Sequence, residues 1–281
     1  MKQMFGLIPA LLLSISSLAQ NKIDQQTKTL VDEGKRLYKS EMASWYGTDI
    51  FLEQFKDKEK IGGYFSYTQN ESSKCIFFSK ELTPKVIGSI SFDTTFDVKT
   101  AITDLTVREF TKLEIELFTL RSITLKAINS DSLFKKFQNT NLNLIPILSD
   151  GEKKVYVLTG PTNNGVVIFG NDYLLTFDKD YKLISKKQLH NNIIFNNYED
   201  KKIVGNIMVG GVHTHLPETG EFITATDICT LMLYEKFAKW KLYAIMSANY
   251  FSIWDCDKNE LTTKTREVMD KISKDQKVQH N

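Results

Sequence analysis

Two of the chain's four histidines fall in Val212-His213-Thr214-His215, and eleven residues separate His215 from Asp227 in Thr224-Ala-Thr-Asp227. Imidazole and carboxylate are the side chains that take up a divalent ion such as zinc. If residues 202–215 form one strand, the two-residue period puts Ile203, Ile207, Val209, His213 and His215 on one face, with Val204, Met208 and Val212 on the other. Apolar residues on both faces predict a central strand, and Gly210-Gly211 would let another backbone or a substrate come close. Over 225–240 the helical period groups Asp227 with Leu231, Tyr234 and Ala238, away from Glu235, Lys236 and Lys239. A carboxylate on that apolar face needs a partner, and a cation shared with the two histidines would be a sufficient one. Thr224 and Asp227 also fit a capping box, and two histidines at a strand end can be satisfied by water or backbone. A metal-free arrangement, with diverging imidazoles and an Asp227 that only caps its helix, therefore stays open.

His213-Thr-His215 followed by Asp227 resembles the metal-binding signature of the JAMM (JAB1/MPN) metallopeptidases, over about residues 150–256. The resemblance implies a strand-borne His-x-His and a helix-borne Asp that bind zinc. It also implies an upstream glutamate as general base, for which Glu152 is the best-placed residue. Thr224 stands where the family usually has a serine, and could help bind an oxyanion if its side chain turns away from capping. Glu218 and Glu221, in the loop after the histidines, are substitute bases. The implied chemistry is zinc-assisted hydrolysis of an amide or isopeptide bond in a peptide or protein, the ion activating water and polarising the carbonyl. The alternative is a non-catalytic envelope or secreted binding protein that keeps a JAMM-like fold without a working base.

Other residues carry weaker signals. His190, in Gln188-Leu-His190-Asn-Asn192, could line the site as a donor or further ligand, or be structural. Gly170-Asn-Asp172 and Asp178-Lys-Asp180 hint at calcium ligands, but turn chemistry accounts for both. Cys229 near the helix start and Cys256 after the next strand are placed for a disulfide, against the alternative of buried free thiols.

The elements that must position these groups can be read from periodicity. An amphipathic helix is expected over 22–45, an antiparallel meander over 62–96, and a long helix over 106–128 opened by a capping box at Thr106-Val-Arg-Glu109. Strands follow at 141–148, 155–158, 166–177 and 182–194, and a surface helix at 261–272 with Leu261, Thr265, Val268 and Ile272 on one face. The fold class is therefore α+β, mainly antiparallel sheet with a few packed helices, the C-terminal half JAMM/deubiquitinase-like by resemblance. The expected organisation is a signal peptide over 1–19, a helix and meander extension over 20–140, the metal-site domain over 141–258, and a helix with a polar tail over 259–281.

Charge excludes some classes. Lys plus Arg is 36 and Asp plus Glu is 34, which leaves no field to attract nucleic acid or an acidic membrane surface. At the N-terminus Lys2, the apolar run 4–13 and Ser17-Leu18-Ala19 have the layout of a signal peptide cleaved after Ala19. The mature chain is then expected to be exported, periplasmic or extracellular, with no stable membrane insertion.

Overall fold

The computed structural model describes residues 8–149, 151–198 and 210–279. Among the described residues, four α-helices and fourteen strands form an α+β fold in which all strand pairings but one are antiparallel. Helix α1 (Ile8–Gln54) is followed by the meander β1 (Ile61–Gln69), β2 (Ser72–Ser79), β3 (Val86–Phe92) and β4 (Ile102–Asp104). After α2 (Lys112–Ser130), strands β5 (Thr140–Ser149), β6 (Glu152–Pro161), β8 (Tyr173–Phe177) and β9 (Leu183–Gln188) form a second sheet. Strand β7 (Val166–Gly170) leaves that order to pair with β10 (Ile193–Asn197). The last sheet runs β11 (Gly210–Thr214), β12 (Leu242–Met246), β13 (Tyr250–Asp255), β14 (Glu260–Thr265), with α3 (Ala225–Ala238) between its first two strands and α4 (Arg266–Gln279) after it.

The core explains why α3 sits where it does. Leu37, Ala43 and Phe51 of α1, Cys75 and Phe77 of β2, Ile145 of β5, and Cys229 and Leu233 of α3 belong to one buried cluster, so the chain on either side of residue 140 shares a core. At the crossing of α1 and α3, a Cβ on Gly34 would lie 2.7 Å from the Ile228 side chain and 3.0 Å from the Ala225 carbonyl oxygen. Glycine is what lets the helices approach so closely, and it fixes the first turn of α3, which carries Asp227.

Several expectations are met and several are corrected. The meander over 62–96 forms in antiparallel register, and Pro146 sits on edge strand β5, where a missing N–H is tolerated. The capping box lies five residues later than expected. Thr111 and Glu114 cap α2 reciprocally, while Arg108 bridges to Val86. Residues 260–265 are strand β14, and the helix begins only at Arg266. Among the described residues, strand β11 is an edge strand of its sheet, with Val212 57% exposed, so the expectation of a central strand fails there. Residues 202–209 of that expected strand lie outside the described residues. Of the 1–19 segment, residues 1–7 lie outside them too, and 8–19 are continuous with the rest of α1. Among the described residues no helix is long and apolar enough to cross a membrane.

Cys229 and Cys256 are free buried thiols, and so is Cys75; the expected disulfide does not form. The two cysteines belong to different buried clusters, Cys229 with the α1 core and Cys256 with Trp240, Tyr243 and Trp254.

One charged group enters the main core. Glu41 of α1 is buried, and its Oε2 accepts a hydrogen bond of 2.9 Å from Asn143 Nδ2. Burial raises its pKa to about 7, the Asn143 bond pulling the other way. The titratable groups around it, Tyr64, Cys75, Cys229 and Tyr234, are all shifted upward by burial and stay neutral. Because the folded-state pKa lies above the unfolded one, Glu41 favours folding below the unfolded value and loses that contribution as pH rises through about 7. Glu41→Gln is therefore expected to leave stability near pH 4.5 little changed and to raise it at pH 8 by up to about 3 kcal/mol, measured as urea midpoints across that range.

Candidate metal centre

Three elements bring the donors together. Strand β11 presents His213 inward between exposed Val212 and Thr214, and His215 follows with its N–H bonded to the Met246 carbonyl oxygen at 2.7 Å. Close pairing of β11 with β12 depends on Gly210, where a Cβ would stand 1.4 Å from the Leu242 carbonyl oxygen. Asp227 enters from the first turn of α3. The third direction is the corner between β9 and β10, where His190 is anchored to the β7–β8 corner. Leu189 N–H donates to the Asp172 carbonyl at 2.8 Å and Asn171 N–H to the Asn192 carbonyl at 2.9 Å.

Each imidazole is held through Nδ1. His190 Nδ1 lies 2.7 Å from Asp172 Oδ1, His215 Nδ1 lies 3.0 Å from the Phe222 carbonyl oxygen, and His213 Nδ1 lies 3.3 Å from the Tyr243 hydroxyl. The first two partners can only accept, so Nδ1 carries the proton there and Nε2 is left for a ligand. The Nε2 atoms converge. His215 Nε2 is 3.2 Å from those of both His190 and His213, and Asp227 lies 3.1 Å from His215 and 3.6 Å from each of the others. Tetrahedral donors about 2.05 Å from a central ion stand about 3.3 Å apart, which the separations among His190, His215 and Asp227 bracket. His190, His215 and Asp227 offer donor atoms all within 4.8 Å of one another, a group that could hold a metal ion, and His213 adjoins it through His215 and Asp227.

Electrostatics fit that arrangement. Burial alone would lower the pKa of His190, but Asp227 and Asp172 overcome it and raise it to about 11. For His213 burial dominates, Asp227 offsets it only partly, and His215 and His190 push the same way as burial, to about 4. Burial would raise Asp227, yet His190 and His215 hold it well below the usual carboxylate range. Without a metal, a proton on His190 supplies the positive charge that the two buried aspartates need, and ligation through Nε2 would displace it.

The other expected site residues do not join. Glu152 begins β6, where it pairs with Lys154 at 2.8 Å and is largely exposed. Glu218 accepts from Asn191 at 3.3 Å on the surface. Glu221 is held by the Ser247 hydroxyl at 2.8 Å and by the N–H and side-chain amide of Asn249. Thr224 does not turn away from capping. Its Oγ1 accepts from the Asp227 N–H at 3.1 Å and donates to Asp227 Oδ2 at 2.6 Å, and Oδ2 also accepts from the Thr224 N–H. Thr224 thus orients a donor instead of facing a substrate. Asp172 is the residue that sequence reasoning missed as a partner: Gly170-Asn-Asp172 reads as a turn, and nothing local ties that turn to His190.

Comparison with known proteins finds no matching family model, no matching curated protein and no matching solved structure.

Proposed function

We propose that the chain is an exported zinc-binding protein in which His190, His213, His215 and Asp227 form a closed, non-catalytic zinc centre. The observation that carries this reading is the convergence of three Nδ1-anchored imidazoles on Asp227, each of the four residues no more than 8% exposed. Four protein donors would fill a tetrahedral ion's coordination, the mark of a structural site, with His213 completing the group of His190, His215 and Asp227. The three candidate glutamates are engaged by Lys154, Asn191 and Ser247, which supports a centre without the general base that the JAMM resemblance implies. Zinc suits the donor set, since neutral imidazole and carboxylate are its ordinary nitrogen and oxygen ligands.

A second reading keeps hydrolysis of an amide or isopeptide bond. One observation favours it: the Asp172–His190 pair aims Nε2 at the cluster as an acid–base dyad would. In that reading His213, His215 and Asp227 would hold zinc, which would supply Lewis acidity, and His190 would take the proton.

Metal analysis of protein expressed in zinc-supplemented medium tests both, with one equivalent expected. In the cobalt-substituted protein, a visible spectrum indifferent to azide supports the closed centre. A spectrum that azide changes, with turnover of an isopeptide substrate lost in His190→Ala while zinc is retained, would replace it with the hydrolase. The closed centre also makes a prediction about Asp172. Asp172→Asn is expected to weaken zinc binding about 10–100-fold, the usual effect of removing a carboxylate behind a ligating histidine, as measured by competition with a chromophoric chelator.

A further inference from the structure

A cavity of about 300 Å³ lies where α1, β1, β5 and α3 meet, apart from the histidine cluster. Glu41 is in its wall, together with Trp45, Tyr64, Tyr234, Asn141 and Thr230. The Asn143 amide bonds Oε2 of Glu41 at 2.9 Å, and among the described residues no lysine, arginine or histidine lines the cavity. A second carboxylate, Asp49, lies on the same wall. A buried carboxylate without a counter-ion is costly, and the cost is recovered when a cation fills the space beside it.

We propose that this cavity binds an organic ammonium group on an alkyl stem, with Glu41 as its counter-ion and the rings of Trp45, Tyr64 and Tyr234 around it. The walls discriminate among ligand classes. An anion would be repelled by Glu41 and Asp49, and a neutral apolar molecule would leave Glu41 unpaired in a drier site. A primary ammonium brings three N–H donors, which match the carboxylate and the oxygens of Asn141 and Thr230, and aromatic surface favours a cation directly. The volume is at the small end of ligand pockets, enough for a stem of a few carbons. A free alkyl diamine and a lysine side chain present the same group.

The test is calorimetric titration of the full-length protein at pH 8 with cadaverine and, separately, with N-acetyl-lysine methylamide. Pentan-1-ol and N-acetyl-norleucine methylamide serve as neutral counterparts. At least one amine is expected to bind, with its neutral counterpart binding at least ten-fold more weakly. Binding of cadaverine alone identifies a free-amine site, and equal binding of the lysine amide a side-chain site. Glu41→Gln, nearly isosteric and expected to fold at least as stably at this pH, should weaken binding at least ten-fold while its melting transition stays cooperative. Failure of both amines to bind at millimolar concentration overturns the proposal, as does equal binding by Glu41→Gln or by the neutral counterparts. None of these readouts depends on zinc.

Discussion

Asp227→Ala is expected to abolish stoichiometric zinc binding, a loss larger than the roughly 10–100-fold effect of altering a residue behind a ligand. Asp227 supplies a carboxylate within reach of all three Nε2 atoms, at 3.1 Å from His215 and 3.6 Å from His190 and His213. Its removal also breaks the capping box on α3, because the Asp227 carboxylate no longer accepts from the N–H of the N-cap Thr224. The two effects separate in Asp227→Asn, whose side-chain oxygen can still accept from the Thr224 N–H while the charge is gone. Metal content by elemental analysis and helix content by circular dichroism should therefore fall together in the alanine variant, and metal alone should fall in the asparagine variant. Retention of a full equivalent of zinc by both variants would remove Asp227 from the centre.

The second large effect concerns stability. Glu114 is fully buried and receives both arms of the Arg108 guanidinium, at 2.7 and 2.8 Å, besides the Thr111 N–H at 2.8 Å. This fork joins the start of α2 to the residue that bridges to Val86 of β3. Arg108→Ala leaves a buried carboxylate without its cation and is expected to cost about 3 kcal/mol, the low end for such pairs because the arginine is partly exposed. Arg108→Lys should recover only part of this, since an ammonium cannot form the two parallel bonds. Burial alone would raise the Glu114 pKa, but Arg108 and the Thr111 bonds hold it below the usual value. The stability it contributes is thus present above the unfolded pKa and lost as pH falls through the folded one. The deficit of Arg108→Ala should accordingly shrink on acidification, as a protonated Glu114 no longer needs a cation. Denaturant midpoints of both variants at pH 7 and pH 4 check the magnitude and the sign.

What could be read in advance followed from short-range pattern. The alternating runs of the meander, the inward pairing of His213 with His215, and the buried placement of Asp227 on α3 all follow from periodicities of two and 3.6 residues. Where two local solutions existed, pattern could not choose. Thr106-Val-Arg-Glu109 and Thr111-Lys-Leu-Glu114 have the same capping spacing, and the choice is made by Arg108, which bonds across to β3 and to Glu114. His190 and Asp172 belong to the same class of problem. Their meeting depends on the backbone bonds between two corners, a tertiary fact with no local spacing to mark it. The glutamates fail for the complementary reason: proximity to the histidines in sequence, as with Glu218 and Glu221, does not place a side chain among them.

The convergence of donors from β11, α3 and the β9–β10 corner has a further consequence for how the protein behaves as a population. The donors come from three separate elements that meet only in the folded arrangement, so the unfolded chain has no preformed site for the ion. Under the proposed zinc reading, mass action then draws molecules into the native state as free metal rises, by about 2.7 kcal/mol when the ion is at one hundred times its dissociation constant. Lifetime against protease would track the metal supply of the compartment, and starvation for the ion would be felt first as a shrinking pool of folded copies.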